Sequence, residues 1–282
     1  LHGTTGVEWM KRTDKGMIRN VDSATVAVQH GKDIKTTLDI NIQDIADRAL
    51  RKQIQDNPEV LGGAIVVMEV KTGAVKAMVN LSRSSKDVMG EYFNSAIGRP
   101  AEPGSIFKAV SLLTLLEDGH VELESQIPTN HGRMKEYPKM TPDDYIVKYE
   151  YRTKSDKISV IEGFKISSNY VFRRLVKDHY GENPEEFTSR LHSYNLGANF
   201  DFELTERGSG KPSIPDPREK SWSRTSLISS AIGYSVKVTP LQIATFYNAI
   251  ANNGKMMKPY VVESTERDGK VVKEFKPTLL NG

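Results

Sequence analysis

The chain has 282 residues, 38% of them hydrophobic and 27% charged, which is typical of a globular protein. Its net charge of +3 is too small to indicate nucleic-acid binding, and the lack of cysteine excludes disulfides and cysteine-ligated metals. No apolar run approaches the roughly 20 residues of a membrane span, and the N-terminus lacks the basic and apolar regions of a signal peptide. We therefore expect the sequence to begin inside a longer protein, with any targeting or anchor segment preceding it.

The first part of the chain predicts a helix and a hairpin after a mixed segment. We interpret residues 1–35 as the remnant of an N-terminal linker or pedestal module. The helix is predicted to begin at the cap Asp39 and to bury one apolar stripe. The stripe comprises Ile42, Ile45, Ala46, Ala49 and Leu50. Residues 64–70 and 74–80 predict two strands joined through 71–73, the first apolar enough to be covered on both faces.

A long helical block follows. Residues 105–117 are apolar almost all round, which predicts a buried helix. Residues 129–154 are polar and rich in tyrosine without a clear period, so we expect loops and short strands there. Two helices are predicted over 156–165 and 169–180, with a break near Ser167-Ser168.

Proline, glycine and asparagine divide the remainder of the chain. The predicted features are a helix from Asn183-Pro184 that Gly197 closes, a loop over 198–226, a helix from Thr239-Pro240 to Gly254, and a hairpin over 259–277 around Asp268-Gly269. Strands followed by a helical block and further strands predict an α+β fold, with a helical lobe inserted in a sheet domain.

Ser105 and Lys108 are the strongest candidates for chemistry. Serine is a weak nucleophile and needs a base, and residues three apart on a helix lie on the same face. Burial among apolar neighbours lowers the pKa of a lysine, which lets its amine act as that base. The alternative is that Ser105 only caps the helix, but this is the only S-x-x-K in the chain.

Ser167 and Asn169 form a second candidate element at the predicted break between two helices. A hydroxyl and an amide held in one turn can relay a proton and bind a substrate amide. Serine and asparagine also favour helix breaks for structural reasons alone. A competing match, Ser193-Tyr194-Asn195, precedes Gly197, and we interpret it as a helix C-terminal cap region.

Together these motifs resemble the penicillin-binding proteins. The run Pro103-Gly104-Ser105-Ile-Phe-Lys108 is similar to the first family motif, and Ser167-Ser168-Asn169 resembles the second in its S-x-N form. The stretches 64–80, 93–108 and 230–254 look like class B transpeptidases, and Phe-Tyr-Asn-Ala-Ile in the last favours the division type. The resemblance covers about residues 36–262.

The resemblance implies a fold, an activity and a location. The fold would be that of the penicillin-binding transpeptidases and serine β-lactamases, an antiparallel sheet flanked by helices with an inserted helical lobe. The transpeptidase domain would cover 36–282, with the serine at the N-terminus of a central helix. The activity would be D,D-transpeptidation of peptidoglycan stem peptides in septal wall synthesis, inhibited by β-lactams, with Ser105, Lys108, Ser167 and Asn169 as catalytic residues. The location would be the periplasmic side of the inner membrane, beside division proteins that include a lipid-II polymerase. No cofactor, metal or nucleic acid is implied.

The sequence departs from the family pattern at the third motif. Its only K-T-G is 71–73, upstream of the serine, where Thr-Gly suits a hairpin turn. The family's functional K-T-G lies downstream of both other motifs. We therefore expect the sequence to end before that motif and the last strands of the sheet, and the chain alone to be nearly inactive although the full-length protein is active.

Two other functions fit part of the same pattern. A serine β-lactamase or carboxypeptidase shares the acyl-serine step and differs in whether water or an amine takes the acyl group. A β-lactam sensor or a non-catalytic division scaffold could keep the fold without turnover. Other chemistries lack their motifs: there is no G-x-S-x-G, H-E-x-x-H or P-loop, and the six histidines have no ligand spacing.

Overall fold

The computed structural model describes residues 3–19, 26–85 and 88–281. His2, Gly282 and part of the segment interpreted as a preceding module lie outside the described residues. Within those described ranges, no helix is both long enough and apolar enough to cross a bilayer.

Strands are concentrated toward the two ends of the described chain, and most helices lie between them. The helices are α1 (Ile40–Asp56), α2 (Ser95–Gly98), α3 (Lys108–Glu117), α4 (Asp144–Thr153), α5 (Val160–Lys165), α6 (Asn169–Tyr180), α7 (Pro184–Ser193), α8 (Ser226–Ser230) and α9 (Pro240–Ala251). The strands are β1 (Met10–Thr13), β2 (Gly16–Arg19), β3 (Asp33–Thr36), β4 (Gly62–Met68), β5 (Val75–Arg83), β6 (Met89–Gly90), β7 (Gln126–Pro128), β8 (Lys157–Ser159), β9 (Met256–Met257), β10 (Val262–Arg267), β11 (Lys270–Glu274) and β12 (Leu279–Asn281).

The sheet part of the molecule is antiparallel and packs against α1. Strands β4, β5 and β6 form one sheet, so the predicted hairpin is confirmed. Strand β4 is half-buried along its length and β5 is the more deeply covered arm. The helix begins at its cap Asp39 as predicted, and its buried residues are Ala46, Leu50 and Ile54. The stripe was wrong at Ile45 and Ala49, which are exposed because both lie off the face that Ala46, Leu50 and Ile54 define.

A second small sheet joins the two ends of the described chain. Strand β10 pairs with β11 on one side and with β3 on the other, both antiparallel. The predicted hairpin turns at Asp268-Gly269, whose φ angles are 52° and 72°. Residues 33–35 therefore pair with a strand more than 220 positions downstream. The boundary near residue 35 stays a prediction.

The helical lobe contains the main core, which α3, α6 and α7 build with the short elements around them. Helices α6 and α7 match their predictions, and the segment 198–226 is largely irregular as predicted. The prediction for 129–154 was wrong over α4, because this helix buries only Ile146 and so shows no apolar stripe in sequence. The predicted helix over 156–165 begins as strand β8 and becomes helical at Val160.

Helix α9 lies between the lobe and the sheet. Its first turn has a capping box in which Thr239 and Gln242 satisfy each other's backbone N–H groups, as Thr239-Pro240 predicts. Leu241 packs with Val75 of the sheet, whereas Phe246 belongs to the core of the lobe. The helix thus holds the two parts together beside the segment that contains Ser105.

Candidate active site

The segment that carries Ser105 is set by close contact between two glycines. Gly104 adopts a φ of +61°, and its N–H donates to the carbonyl oxygen of Gly233 over 3.0 Å. A Cβ on Gly233 would lie 2.2 Å from the Gly104 oxygen, so only glycine permits this approach. The chain then enters a 3-10 turn, Gly104–Phe107, before α3 begins at Lys108. The predicted helix is therefore two joined pieces, with Ser105 in the tighter first turn.

Ser105 and Lys108 are hydrogen-bonded to each other. The distance from Lys108 Nζ to Ser105 Oγ is 3.0 Å. Ser105 is exposed, whereas Lys108 is only 1% exposed and is among the largest fully buried side chains. The hydroxyl is open to a ligand from solvent while the amine behind it is shielded.

Burial changes the acid–base behaviour of this amine. Desolvation lowers the pKa of Lys108 to about 8. The negative charge of Asp143 raises this pKa, and the positive charge of Arg173 lowers it further. At pH 7 roughly one Lys108 side chain in ten is neutral, compared with fewer than about one in a thousand for an unperturbed lysine. The amine can therefore accept a proton near neutral pH.

A strained turn brings Ser167 to the same amine. Ser167 has a left-handed φ of +53°, which is unusual for a residue with a side chain. Lys108 Nζ lies 2.6 Å from the Ser167 carbonyl oxygen and 3.0 Å from Ser167 Oγ. The structure thus joins three of the four candidate residues in one hydrogen-bonded cluster.

Asn169 lies beside this cluster without joining it. It is the first residue of α6 and lines a cavity of about 220 Å³ together with Arg173 and the start of α4. Among the described residues, no hydrogen bond links its side chain to Ser105 or Lys108. A role for Asn169 in binding a ligand stays a prediction.

Asp143 is the residue that sequence reasoning missed. Its Oδ2 accepts hydrogen bonds of 2.8 Å from Ser168 Oγ and from the Tyr170 backbone N–H, and its Oδ1 caps α4 at Tyr145 N–H over 3.0 Å. The carboxylate therefore fixes the turn between Ser167 and Asn169. A Pro-Asp-Asp run before a helix could have indicated the cap.

The competing motifs, Ser193-Tyr194-Asn195 and the K-T-G at 71–73, lie apart from the cluster of Ser105, Lys108 and Ser167. Each has a structural explanation. Ser193 Oγ donates to the Arg190 carbonyl oxygen over 2.7 Å at the end of α7, a helix C-terminal contact as predicted. In the only K-T-G, Thr72 donates to the Glu69 carboxylate and Gly73 takes a φ of +80° in the turn between β4 and β5.

An antiparallel sheet beside a helical lobe, with a shielded lysine behind an exposed serine, is typical of serine acyl-transfer proteins. Comparison with known proteins identifies the family. The model of the penicillin-binding protein transpeptidase domain matches residues 63–282, and the chain belongs to this family.

Individual relatives agree with this family. The chain is 27% identical over 297 aligned residues to penicillin-binding protein PbpB of Mycolicibacterium smegmatis, covering 98% of this chain and 42% of that protein. It is 25% identical to the probable peptidoglycan D,D-transpeptidase PenA of Neisseria meningitidis, covering 91% and 42%. The structure of penicillin-binding protein 2B from Streptococcus pneumoniae superposes with a TM-score of 0.75 at 21% identity, covering 99% and 48%. The chain spans less than half the length of these relatives.

Proposed function

We propose that the chain carries the acylating residues of a class B, division-type D,D-transpeptidase that cross-links peptidoglycan stem peptides. The observation that carries the proposal is the cluster of Ser105 Oγ, Lys108 Nζ and Ser167 Oγ, with both hydroxyls 3.0 Å from one desolvated amine. The family match supports the reaction class. The similarity to PenA, a probable peptidoglycan D,D-transpeptidase, supports the substrate.

In the proposed first step, Ser105 attacks the carbonyl of the penultimate D-alanine of a donor stem. Neutral Lys108 takes the hydroxyl proton, and Ser167 relays it to the leaving amine of the terminal D-alanine. The products are an acyl-enzyme ester and free D-alanine. General-base catalysis of this kind contributes about 10²–10⁴-fold in rate.

In the second step, an amino group of an acceptor stem attacks the ester. Its lost proton returns through Lys108 to Ser105 Oγ, and the new amide is the cross-link. Asn169 is proposed to orient the donor peptide by binding its amide. The Ser105 N–H would donate one hydrogen bond to the developing oxyanion. Family resemblance predicts that the second N–H donor lies on a strand with a K-T-G motif other than 71–73. The same strand is predicted to carry the groups that bind the substrate carboxylate.

The setting of this reaction is part of the proposal. We propose that residues 36–282 belong to the transpeptidase domain and that residues 1–35 come from a preceding module. The domain would act on the periplasmic side of the inner membrane, held by an anchor, among division proteins that include a lipid-II polymerase. β-Lactams would acylate Ser105 as analogues of the donor stem.

A labelling experiment tests the acyl step. The full gene product is incubated with a fluorescent penicillin, and the labelled peptide is located by mass spectrometry. We expect one label, on Ser105, and none in Ser105→Ala. Labelling of the alanine variant at the wild-type level would contradict the proposal.

A product assay tests the acceptor. The protein receives a stem pentapeptide and an acceptor amine. Cross-linked dimer with release of D-alanine is the expected result. Hydrolysed tetrapeptide alone would indicate a carboxypeptidase, and permanent acylation by penicillin without any peptide product would indicate a sensor.

A further inference from the structure

Near the candidate site, Arg173 is a cation that forms no hydrogen bond or ion pair with another described residue. Its side chain is partly buried, and its Nε is inaccessible to solvent with no hydrogen bond. Within the described residues, no ion pair to its guanidinium is formed. Desolvation lowers its pKa, which Asp143 and Tyr234 oppose only through space. Desolvated charges in proteins normally form ion pairs or hydrogen bonds, so an unpaired guanidinium at this position indicates a site for an anionic ligand.

The surroundings of Arg173 place it on the substrate side of the turn. It follows Asn169 by one helical turn, about 6 Å along the α6 axis, so both lie on the same helix face. Both line the cavity of about 220 Å³. Tyr234 follows the glycine that packs against Gly104, and the charge of Arg173 also acts on Lys108. Arg173 is therefore close enough to Lys108 for its charge to lower the pKa of that amine.

The size of the cavity indicates what it can bind. Sites for whole drug-sized ligands usually measure about 300–1,000 Å³. A cavity of about 220 Å³ suits one substituent of a longer molecule that extends past Asn169. Guanidinium groups favour carboxylates because two parallel N–H donors match the two oxygens.

Two carboxylates also line the cavity and must be considered. Asp143 is already occupied by hydrogen bonds from Ser168, Tyr170 and Tyr145. Asp144 is exposed at the start of α4, where water screens its charge. The guanidinium is thus the only charge in the described cavity lining that is both desolvated and unoccupied.

We propose that Arg173, with Asn169, forms a subsite for a carboxylate that the donor strand carries on the acyl side of the scissile bond. This inference rests on the proposed function. It gives that function a preference among stem peptides: donors with a free carboxylate upstream of the reacting D-alanine would acylate Ser105 faster than donors in which that group is an amide.

Three penicillins that differ at one position test the subsite. Carbenicillin has a carboxylate on the side-chain α-carbon, benzylpenicillin has hydrogen and ampicillin has an ammonium group. Second-order acylation rate constants of Ser105 are measured for each with the full gene product. The readout is the ratio of the carbenicillin constant to the benzylpenicillin constant, taken at the pH of maximal rate for each variant, because loss of Arg173 also raises the pKa of Lys108.

We expect this ratio to fall by about tenfold or more in Arg173→Gln. It should fall less in Arg173→Lys, because lysine keeps the positive charge but lacks the two parallel N–H donors of the guanidinium. The control is Arg174→Gln, whose wild-type side chain pairs with Glu136 and Asp178. It should keep the wild-type ratio. Amidation of the donor carboxylate in a stem-peptide assay should slow the wild type and not Arg173→Gln.

Two results would contradict the proposed subsite. The first is a ratio of the carbenicillin to the benzylpenicillin constant in Arg173→Gln that stays within twofold of the wild-type ratio. A preference for ampicillin that Asp144→Asn abolishes would assign the cavity to a cation instead. Acylation by benzylpenicillin shows in each variant that the protein is folded and that Ser105 can still be acylated. Absence of acylation by all three penicillins in the wild type would contradict the proposed function itself.

Discussion

Ser168 Oγ donates a hydrogen bond of 2.8 Å to Asp143 Oδ2, although 25 residues separate them in the chain. The same hydroxyl accepts the Val171 N–H over 3.1 Å and so caps α6. Ser168 is fully buried and stands between Ser167 and Asn169. The carboxylate that caps the N-terminus of α4 therefore holds the turn that presents Ser167 to Lys108.

Replacing Asp143 should impair acylation in two separable ways. Asp143→Asn weakens hydrogen bonds to the turn, and we expect acylation by penicillin to slow by about tenfold or more. Asp143 raises the pKa of Lys108, so its loss should also move the midpoint of the pH–rate profile below about 8. A profile that keeps its midpoint would contradict this electrostatic role. Asp144→Asn is the matched control and should change neither quantity.

The acylation rate should depend on the protonation of Lys108. If the amine is the base, the rate rises with pH through about 8 and levels off above it. Lys108→Arg cannot be deprotonated, and we expect a loss of about 10²–10⁴-fold. Stopped-flow acylation across pH 6–10 measures both. A rate independent of pH over the range of roughly 7–9 would show that Lys108 is not the base.

Lys108 should also make stability depend on pH. Its pKa falls on folding from the ordinary lysine value of 10.5 to about 8, so between these values the unfolded state holds more protons than the folded state. Stability contributed by this group therefore rises with pH over that window and is lowest below about 8. We expect the free energy of unfolding of the wild type to increase relative to that of Lys108→Met between pH 8 and about 10.5, as denaturation experiments can measure. A constant difference would exclude the shift.

The sequence predicted the pair Ser105 and Lys108 because both belong to one helical segment, where spacing determines contact. It also predicted a turn at Ser167, since helices on both sides of it had recognisable patterns. Contact between that turn and Lys108 spans 59 positions, and only tertiary packing creates it. Family resemblance, rather than periodicity, linked the two.

Two features could not be predicted from the spacing of apolar residues. Helix α4 was missed because it packs mainly through Ile146 and leaves most of its surface exposed. The hydrogen bond from Ser168 to Asp143 depends on where α4 begins, so it could not be predicted once the helix was missed. The lack of an ion-pair partner for Arg173 among the described residues likewise depends on its neighbours in space and not on its sequence position.

The K-T-G at 71–73 should be dispensable for acylation. Lys71 is exposed, and the turn is explained by Gly73, whose Cβ would lie 2.6 Å from the Lys258 carbonyl oxygen. Lys71→Ala should acylate within twofold of wild type and keep its stability. A loss of about 10²-fold, the scale expected for an oxyanion or carboxylate-binding group, would make this lysine part of the site.

The close approach of Gly233 to Gly104 should set the position of the nucleophile. A methyl group at Gly233 would meet the Gly104 oxygen at 2.2 Å and Phe107 Cβ at 2.7 Å, so the segment before and after Ser105 must move. Displacement of a catalytic group by about 1 Å can cost about 10²-fold, which is the loss of acylation we expect in Gly233→Ala.

The backbone strain of that substitution needs its own control. Gly233 has a φ of +80°, and Gly208 has a φ of +77° with no atom within 4 Å of an added Cβ. Gly208→Ala therefore carries the same conformational cost without the collision, roughly 1 kcal/mol of stability. If displacement of Ser105 is the cause, only Gly233→Ala loses acylation among variants of equal folded fraction, measured by denaturant titration. Equal acylation by the two would mean that the glycine contact does not position the serine.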